Sequence, residues 1–171
     1  MTAPFHHPLD VPVSPIKQAE AAIGQLIVAS ASFETQLTLL LRVLDPDASP
    51  LLLPSQKIKA IRLAVLTKGA AGLPQRQQGR ISIIVQEADK LLALRRECAH
   101  SCVTPLVIDG EQHWLLRNAQ TAGDPLDRCV LVSASQMTTT AARLRQLTHQ
   151  LNQILNPPLP RPPEPDAATG P

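Results

Sequence analysis

The chain has 171 residues, 44% of them hydrophobic, and a formal net charge of +2. That length and apolar content suit one domain with a real core. The small charge gives no sign of a polybasic nucleic-acid binder, although it does not exclude RNA, and nothing acidic enough for a solvating tail is present. Phe5, Phe33 and Trp114 are the only aromatic residues. Leu, Ile, Val and Ala must therefore build the core, which favours helix-on-helix packing over a β-sandwich.

In chain order, residues 1–14 are Pro-rich and lack a cationic start followed by an apolar run. They read as a disordered arm rather than a signal peptide. Ser14-Pro15 is a helix start with proline at the first helical position. Ile16, Ile23, Ser30, Leu37 and Leu44 then recur at heptad spacing, with Leu26, Phe33 and Leu40 between them. This predicts a long amphipathic helix that stops at Asp45-Pro46, because the residue before proline is pushed out of the helical region.

Ser55 is the expected cap of a second helix carrying Ile58, Ile61 and Val65 on one face, closed by Gly69, Gly72 and Pro74. A third helix is expected from about Gln77 to His100, with a stripe of Ile81, Ile84, Ala88, Leu91, Arg95 and Cys98. Arg95 lies one heptad after Ala88 and so continues the inward face, where an unpaired charge is costly. Val103 to Ile108, an Asp109-Gly110 turn and His113 to Leu116 predict a β-hairpin, and Arg128 to Val132 a third short strand. Ser133 and Gln136 form a capping-box pattern before a fourth helix whose stripe is Met137, Ala141, Leu144, Leu147, Leu151 and Ile154. The chain thus divides into an arm (1–14), a helical body (15–156) and a Pro-rich disordered tail (157–171). The P-x-x-P spacing in that tail is read as terminal disorder rather than a ligand motif.

Two patches resemble a known family. The first helix contains Ile23-Gly24-Gln25-Leu26-Ile27, then Ser32-Phe33-Glu34 and Leu37; the third ends Leu94-Arg95-Arg96-Glu97-Cys98-Ala99-His100-Ser101. Together they resemble HEPN-type proteins, which carry an Arg-x4–6-His motif at the end of a late helix and a similar stretch in the first helix. The resemblance implies an all-α, up-and-down four-helix bundle, here with a small β-hairpin inserted between the third and fourth helices. It also implies a homodimer with the motif at its interface and, in active members, a metal-independent endoribonuclease of the toxin or defence type acting on single-stranded RNA, with an antitoxin-like protein as a partner. Inactive members imply the alternative, a non-catalytic accessory module of a mobile element that binds protein or nucleotide. The matching positions are Arg95 and His100. The sequence departs from the pattern at Arg96, where Asn is usual, and at Ser101, where Gly is usual.

The chemistry suits these residue types. Cleavage by 2′-hydroxyl attack needs a group that moves protons near neutrality, as histidine does, and a permanent bidentate cation for the phosphorane charge, as arginine provides. The candidate catalytic residues are accordingly Arg95, Arg96, His100 and Glu34, with His100 as base or acid, the arginines on phosphate and Glu34 orienting Arg95. The blander expectation is a structural Arg95–Glu34 ion pair with His100 capping the helix C-terminus. Residues five apart on a continuous helix lie about 140° apart around its axis. One regular helix is therefore not expected to present both Arg95 and His100 to a site without a break or a second copy of the chain. A second match to the Arg-x4–6-His pattern, with five intervening residues, occurs at Arg143 and His149, off the apolar stripe of the fourth helix, and reads there as a solvated face.

Other constellations lead to less. Cys98-x3-Cys102, with Cys129 or His113, is not the paired C-x2-C zinc pattern, so small buried thiols are expected and no metal or cofactor is assigned. Lys57, Lys59, Arg62, Lys68, Arg76 and Arg80 form a basic set without interleaved aromatics, read as a solvated face. Glu87 and Asp89 are assigned to the surface. No phosphate-cradling Gly-rich loop, nucleophile elbow or H-E-x-x-H motif is present. Three cysteines without a signal peptide suggest reduced thiols in a cytoplasmic protein, and no stretch is expected to span a membrane.

Overall fold

A computed structural model describes residues 14–49, 51–67, 73–118 and 129–157. In chain order these form helix α1 (Pro15–Leu44), α2 (Pro54–Thr67) and α3 (Gln75–His100), strands β1 (Ser101–Ile108), β2 (Glu111–Asn118) and β3 (Cys129–Ser133), and helix α4 (Ala134–Leu155). The expected arm before Ser14, the tail after Pro157, and Lys68, Gly69, Gly72 and Arg128 lie outside the described residues.

The helices begin and end for identifiable local reasons. The Ser14 hydroxyl accepts from the Lys17 amide at the start of α1, and Asp45 closes its end by donating its N–H to the Leu41 carbonyl. Helix α2 starts at Pro54, one residue before the expected Ser55 cap. The Gln56 side-chain oxygen accepts from the Leu53 amide at 2.9 Å, which makes Leu53 the capping position and leaves Pro54 where its missing N–H costs nothing. At α4 both halves of the Ser133–Gln136 capping box are made, at 3.1 and 2.8 Å.

The hydrophobic stripes converge on one core. Leu26, Phe33, Leu37 and Leu40 of α1 are fully buried, and α1 makes its most extensive contact with α4, whose six expected stripe residues are all buried. Helix α2 packs against both α1 and α3, and α3 against α4, so each helix touches the next and the fourth returns to the first. Helix α3 buries Ile81, Ile84, Val85, Ala88, Leu92 and Cys98, while Arg95, on the same stripe, is only half-buried. Ile16, expected on the α1 stripe, is exposed at its N-terminal end.

The insertion is an antiparallel sheet in the order β1-β2-β3. Ile108 pairs with Glu111 across a two-residue turn in which Asp109 and Gly110 have φ of 52° and 79°. This is the left-handed conformation that an Asp-Gly hairpin supplies. Trp114, Leu116 and Val132 are buried on the inner face, where the sheet meets α3 and α4. Strand β1 is exposed along nearly its whole length and carries Pro105, a residue suited to an edge because it has no N–H to pair.

Helix α1 departs from the sequence expectation in one further respect. By length and composition it is apolar enough to cross a membrane, with a mean hydropathy of 1.3 over an 18-residue window within Ile16–Leu44. The physical reason is that apolar residues lie on both its faces. The core stripe is packed inside the fold, while Val28, Leu39 and Val43 are exposed opposite it.

Candidate functional site

Where α3 ends, its last turns face α1 and the start of α2 across a cavity of about 180 Å³. Its lining includes Glu34 from α1; Leu53, Pro54, Ser55 and Ile58 from the entry and first turns of α2; and Asp89, Leu92, Arg95, Arg96 and His100 from α3. All four residues expected to form a site are among them. Ile58 and Leu92 are buried and form an apolar wall, which lowers the local dielectric and strengthens any charge interaction made there.

Helix α3 stays regular to His100, and Ser101 then enters β1 with an extended backbone. The helix therefore does not break before the histidine, and Arg95 and His100 both line the cavity from one continuous helix. At 100° per residue, Asp89, Leu92, Arg95, Arg96 and His100 span an arc of about 140°, with Arg95 at one margin and His100 near the other. The cavity is broad enough for this arc to line it. A single chain assembles the whole group.

The charged groups lie unengaged in this cavity. The Oε1 atom of Glu34 and the Nε atom of Arg95 are both buried and have no hydrogen-bond partner. No ion pair joins them among the described residues, so Glu34 does not orient Arg95 and the structural ion pair is not made. Arg96 and His100 are exposed, whereas Glu34, Asp89 and Arg95 are half-buried. Two guanidinium groups thus share the cavity with two carboxylates, so it is close to charge balance. Leaving a buried polar atom unbonded costs about 1–3 kcal/mol.

The turn of α1 that carries Glu34 is fixed from α2. Lys57 is buried, and its ammonium donates to the Thr38 hydroxyl at 2.9 Å; that hydroxyl donates in turn to the Glu34 carbonyl at 2.9 Å. Lys57 therefore departs from the solvated face expected of the basic set, because its apolar stem packs inward while the ammonium finds a hydroxyl. Lys59, Arg62, Arg76 and Arg80 are exposed as expected. Asp89, expected at the surface, is half-buried and lines the cavity. Its signal in the sequence is its place seven residues before Arg96, two turns away on the same face.

The other motif lies elsewhere. Arg143 forms a forked pair with Glu87 of α3 through Nε and a terminal nitrogen, the latter at 2.8 Å, and a bond to Gln146 at 2.9 Å. The hydrogen bond and charge of Arg143 hold the Glu87 carboxyl below its ordinary range despite partial desolvation, and Glu87 in turn raises the Arg143 guanidinium. His149 bonds Gln153 at 2.9 Å.

Cys98 is buried, Cys102 exposed and Cys129 half-buried, so the expected burial of small thiols holds fully only for the first. Burial pushes the Cys98 thiol up to about 11. Among the described residues no group of three or more His, Cys, Asp and Glu side chains is placed to hold a metal ion.

Comparison of the chain with protein-family models, with curated proteins and with solved structures returns no match.

Proposed function

We propose that the cavity is a phosphodiester site and that the protein is a HEPN-like, metal-independent endoribonuclease acting on single-stranded RNA. The observation that carries this reading is the convergence of Arg95, Arg96, His100 and Glu34 on one cavity with the buried Arg95 Nε and Glu34 Oε1 unbonded. Structural ion pairs normally satisfy each other; here an acceptor-seeking guanidinium and a donor-seeking carboxylate line the same space without doing so. At about 180 Å³ the cavity is smaller than the roughly 300–1,000 Å³ of sites that enclose a whole drug-sized ligand. That size suits a phosphate and its adjoining sugar, with the rest of an RNA strand running outside. In this reading Arg95 and Arg96 hold the phosphate oxygens, and His100 moves a proton.

A homodimer of the up-and-down bundle type is part of the same proposal. Leu53 lines the cavity and is 63% exposed, and Leu51 beside it is 90% exposed. Leu53 thus puts an exposed apolar side chain at the cavity, with Leu51 close by in sequence, and in this reading a second copy covers them. The alternative is a non-catalytic binding module, and the near-balance of charge in the cavity favours it, because carboxylates repel the phosphate that the arginines attract.

The deciding experiment incubates wild type and His100→Ala with assorted single-stranded RNAs in the presence of a chelator. Cleavage by wild type, reduced about 10²–10⁴-fold in the variant, is the expected result. Intact RNA with wild type, or equal cleavage by both proteins, sinks the catalytic reading.

A further inference from the structure

A second groove runs between the start of α1 and strand β1. One part of it, about 330 Å³, is lined by Ser14, Ile16, Pro105, Val107 and Trp114 among others. The other, about 280 Å³, adds Ala19, Glu20, Ile23 and Val103, and the two parts share Ile16, Pro105 and Trp114. Strand pairing explains the apolar lining. Val103 pairs with Leu116 and Pro105 with Trp114, so Val103, Pro105 and Val107 lie on the same face of the sheet as those two buried residues. That face continues the core, yet no described element covers it along β1. Val107 is 71% exposed, and Ile16 across the groove is 57% exposed. The strand also ends the sheet, so one side of its backbone has no strand beside it among the described residues.

We propose that this groove receives the chain's own N-terminal segment, with Leu9, Val11 and Val13 laid against Ile16, Pro105 and Val107. Residues 1–13 lie outside the described residues, and three observations connect them to the groove. The first is where the chain enters the fold. Ser14 itself lines the groove, and its backbone is extended, with φ −59° and ψ 147°, so the residues before it arrive at the groove.

The second is the pattern of the segment. Phe5, Leu9, Val11 and Val13 all fall at odd positions, whereas Pro4, His6, Pro8, Asp10 and Pro12 fall at even ones. Alternate side chains of an extended segment point to opposite sides, so this order gives one apolar side and one polar or prolyl side. Asp10, the one acid of the segment, falls on the side turned away from Glu20 in the groove. Pro8 and Pro12 hold the residues before them out of the helical region, so an extended docked form costs less entropy than it does for an unrestricted chain. The third is length. Leu9 to Val13 is five residues, as is Val103 to Val107, so an extended segment matches the groove-lining stretch of β1. Docked there, the segment covers the apolar overhang and shields the open edge, which is otherwise a template for another chain's strand.

The test uses the full chain, isotope-labelled, and reads nuclear Overhauser contacts to the side chains of Ile16, Pro105 and Val107. Wild type should show contacts from the methyl groups of Leu9, Val11 and Val13. Val11→Asp should lose the contacts of Leu9 and Val13 as well as its own, keep the resonances of the helical core in place, and melt about 2–4 °C lower. Val107→Ser should weaken the contacts to Ile16 from the groove side. Leu131→Ser, on the opposite face of the sheet beside Leu115, should leave all of them as in wild type. Wild type without contacts between the segment and the groove overturns the proposal, and so does survival of the Leu9 and Val13 contacts in Val11→Asp. Contacts that arise only between differently labelled copies in a mixed sample overturn it too, because they put a second copy's segment in the groove.

Discussion

Helices α3 and α4 each carry an arginine followed at similar spacing by a histidine, and the two pairs have opposite fates. In α4, Arg143 donates to both oxygens of Glu87 and to Gln146, and His149 is bonded to Gln153. In α3, Arg95 keeps a buried Nε without an acceptor, and His100 stands at the helix end beside a cavity. Both pairs fit the same loose Arg-to-His pattern, with four intervening residues in α3 and five in α4. What differs is the neighbourhood: α4 lays its arginine against a carboxylate one helix away, whereas Arg95 makes no ion pair with Glu34 among the described residues. A guanidinium already held at each face has little left for a phosphate, and one still lacking an acceptor is available for it.

The largest effect that would break this comparison is catalytic. Arg95→Ala should reduce RNA cleavage by about 10²–10³-fold, while Arg143→Ala leaves the rate within about a factor of two, both measured by single-turnover cleavage at saturating protein. Equal losses would show that the Arg143 pair acts through the fold on the same site, and the contrast would lose its meaning. The next effect is on stability and has opposite signs at the two sites. Arg95→Met keeps the apolar stem and removes an unbonded buried nitrogen, so its melting temperature should match or exceed that of wild type. Arg143→Met leaves Glu87 without its partner and should melt lower. A thermal scan of the two variants reads the difference directly. A drop in Arg95→Met larger than in Arg143→Met would mean that Arg95 serves the fold first.

Much of this architecture can be read from the chain, and the unreadable part has a consistent cause. The stripe of α4, the Ser133–Gln136 box and the Asp109-Gly110 turn all rest on residues a few positions apart, and all three are present in the structure. Arg95 is conspicuous in the sequence because it breaks an apolar period. Nothing local marks Ser55 or Leu53 as its neighbours, since only the approach of α2 to α3 brings them to one cavity. The burial of Lys57 and the pairing of Glu87 with Arg143 likewise depend on a second helix: Lys57 and Thr38 are nineteen positions apart, and Glu87 and Arg143 fifty-six. Charge in a sequence suggests solvent, and it is tertiary partners that decide otherwise.

The smallest effect tests the engaged pair by pH. Arg143 holds the Glu87 carboxyl below its ordinary value, so the folded state binds that proton less readily than the unfolded chain does. The pair's contribution is therefore fully present above the unfolded carboxylate value of about 4.3 and is lost as pH falls through the lower folded value. Both side chains are partly exposed, at 40% for Arg143 and 33% for Glu87, so water and salt screen much of the interaction. Glu87→Gln should lower the melting temperature at neutral pH by no more than about 2–4 °C. That difference from wild type should shrink toward zero on acidification below about pH 4, and also in high salt. Glu34→Gln, which breaks no pair, should show no such loss at neutral pH. If its melting temperature instead follows the acid and salt dependence of Glu87→Gln, then Glu34 is paired in solution, and the distinction between the two arginines fails at its root.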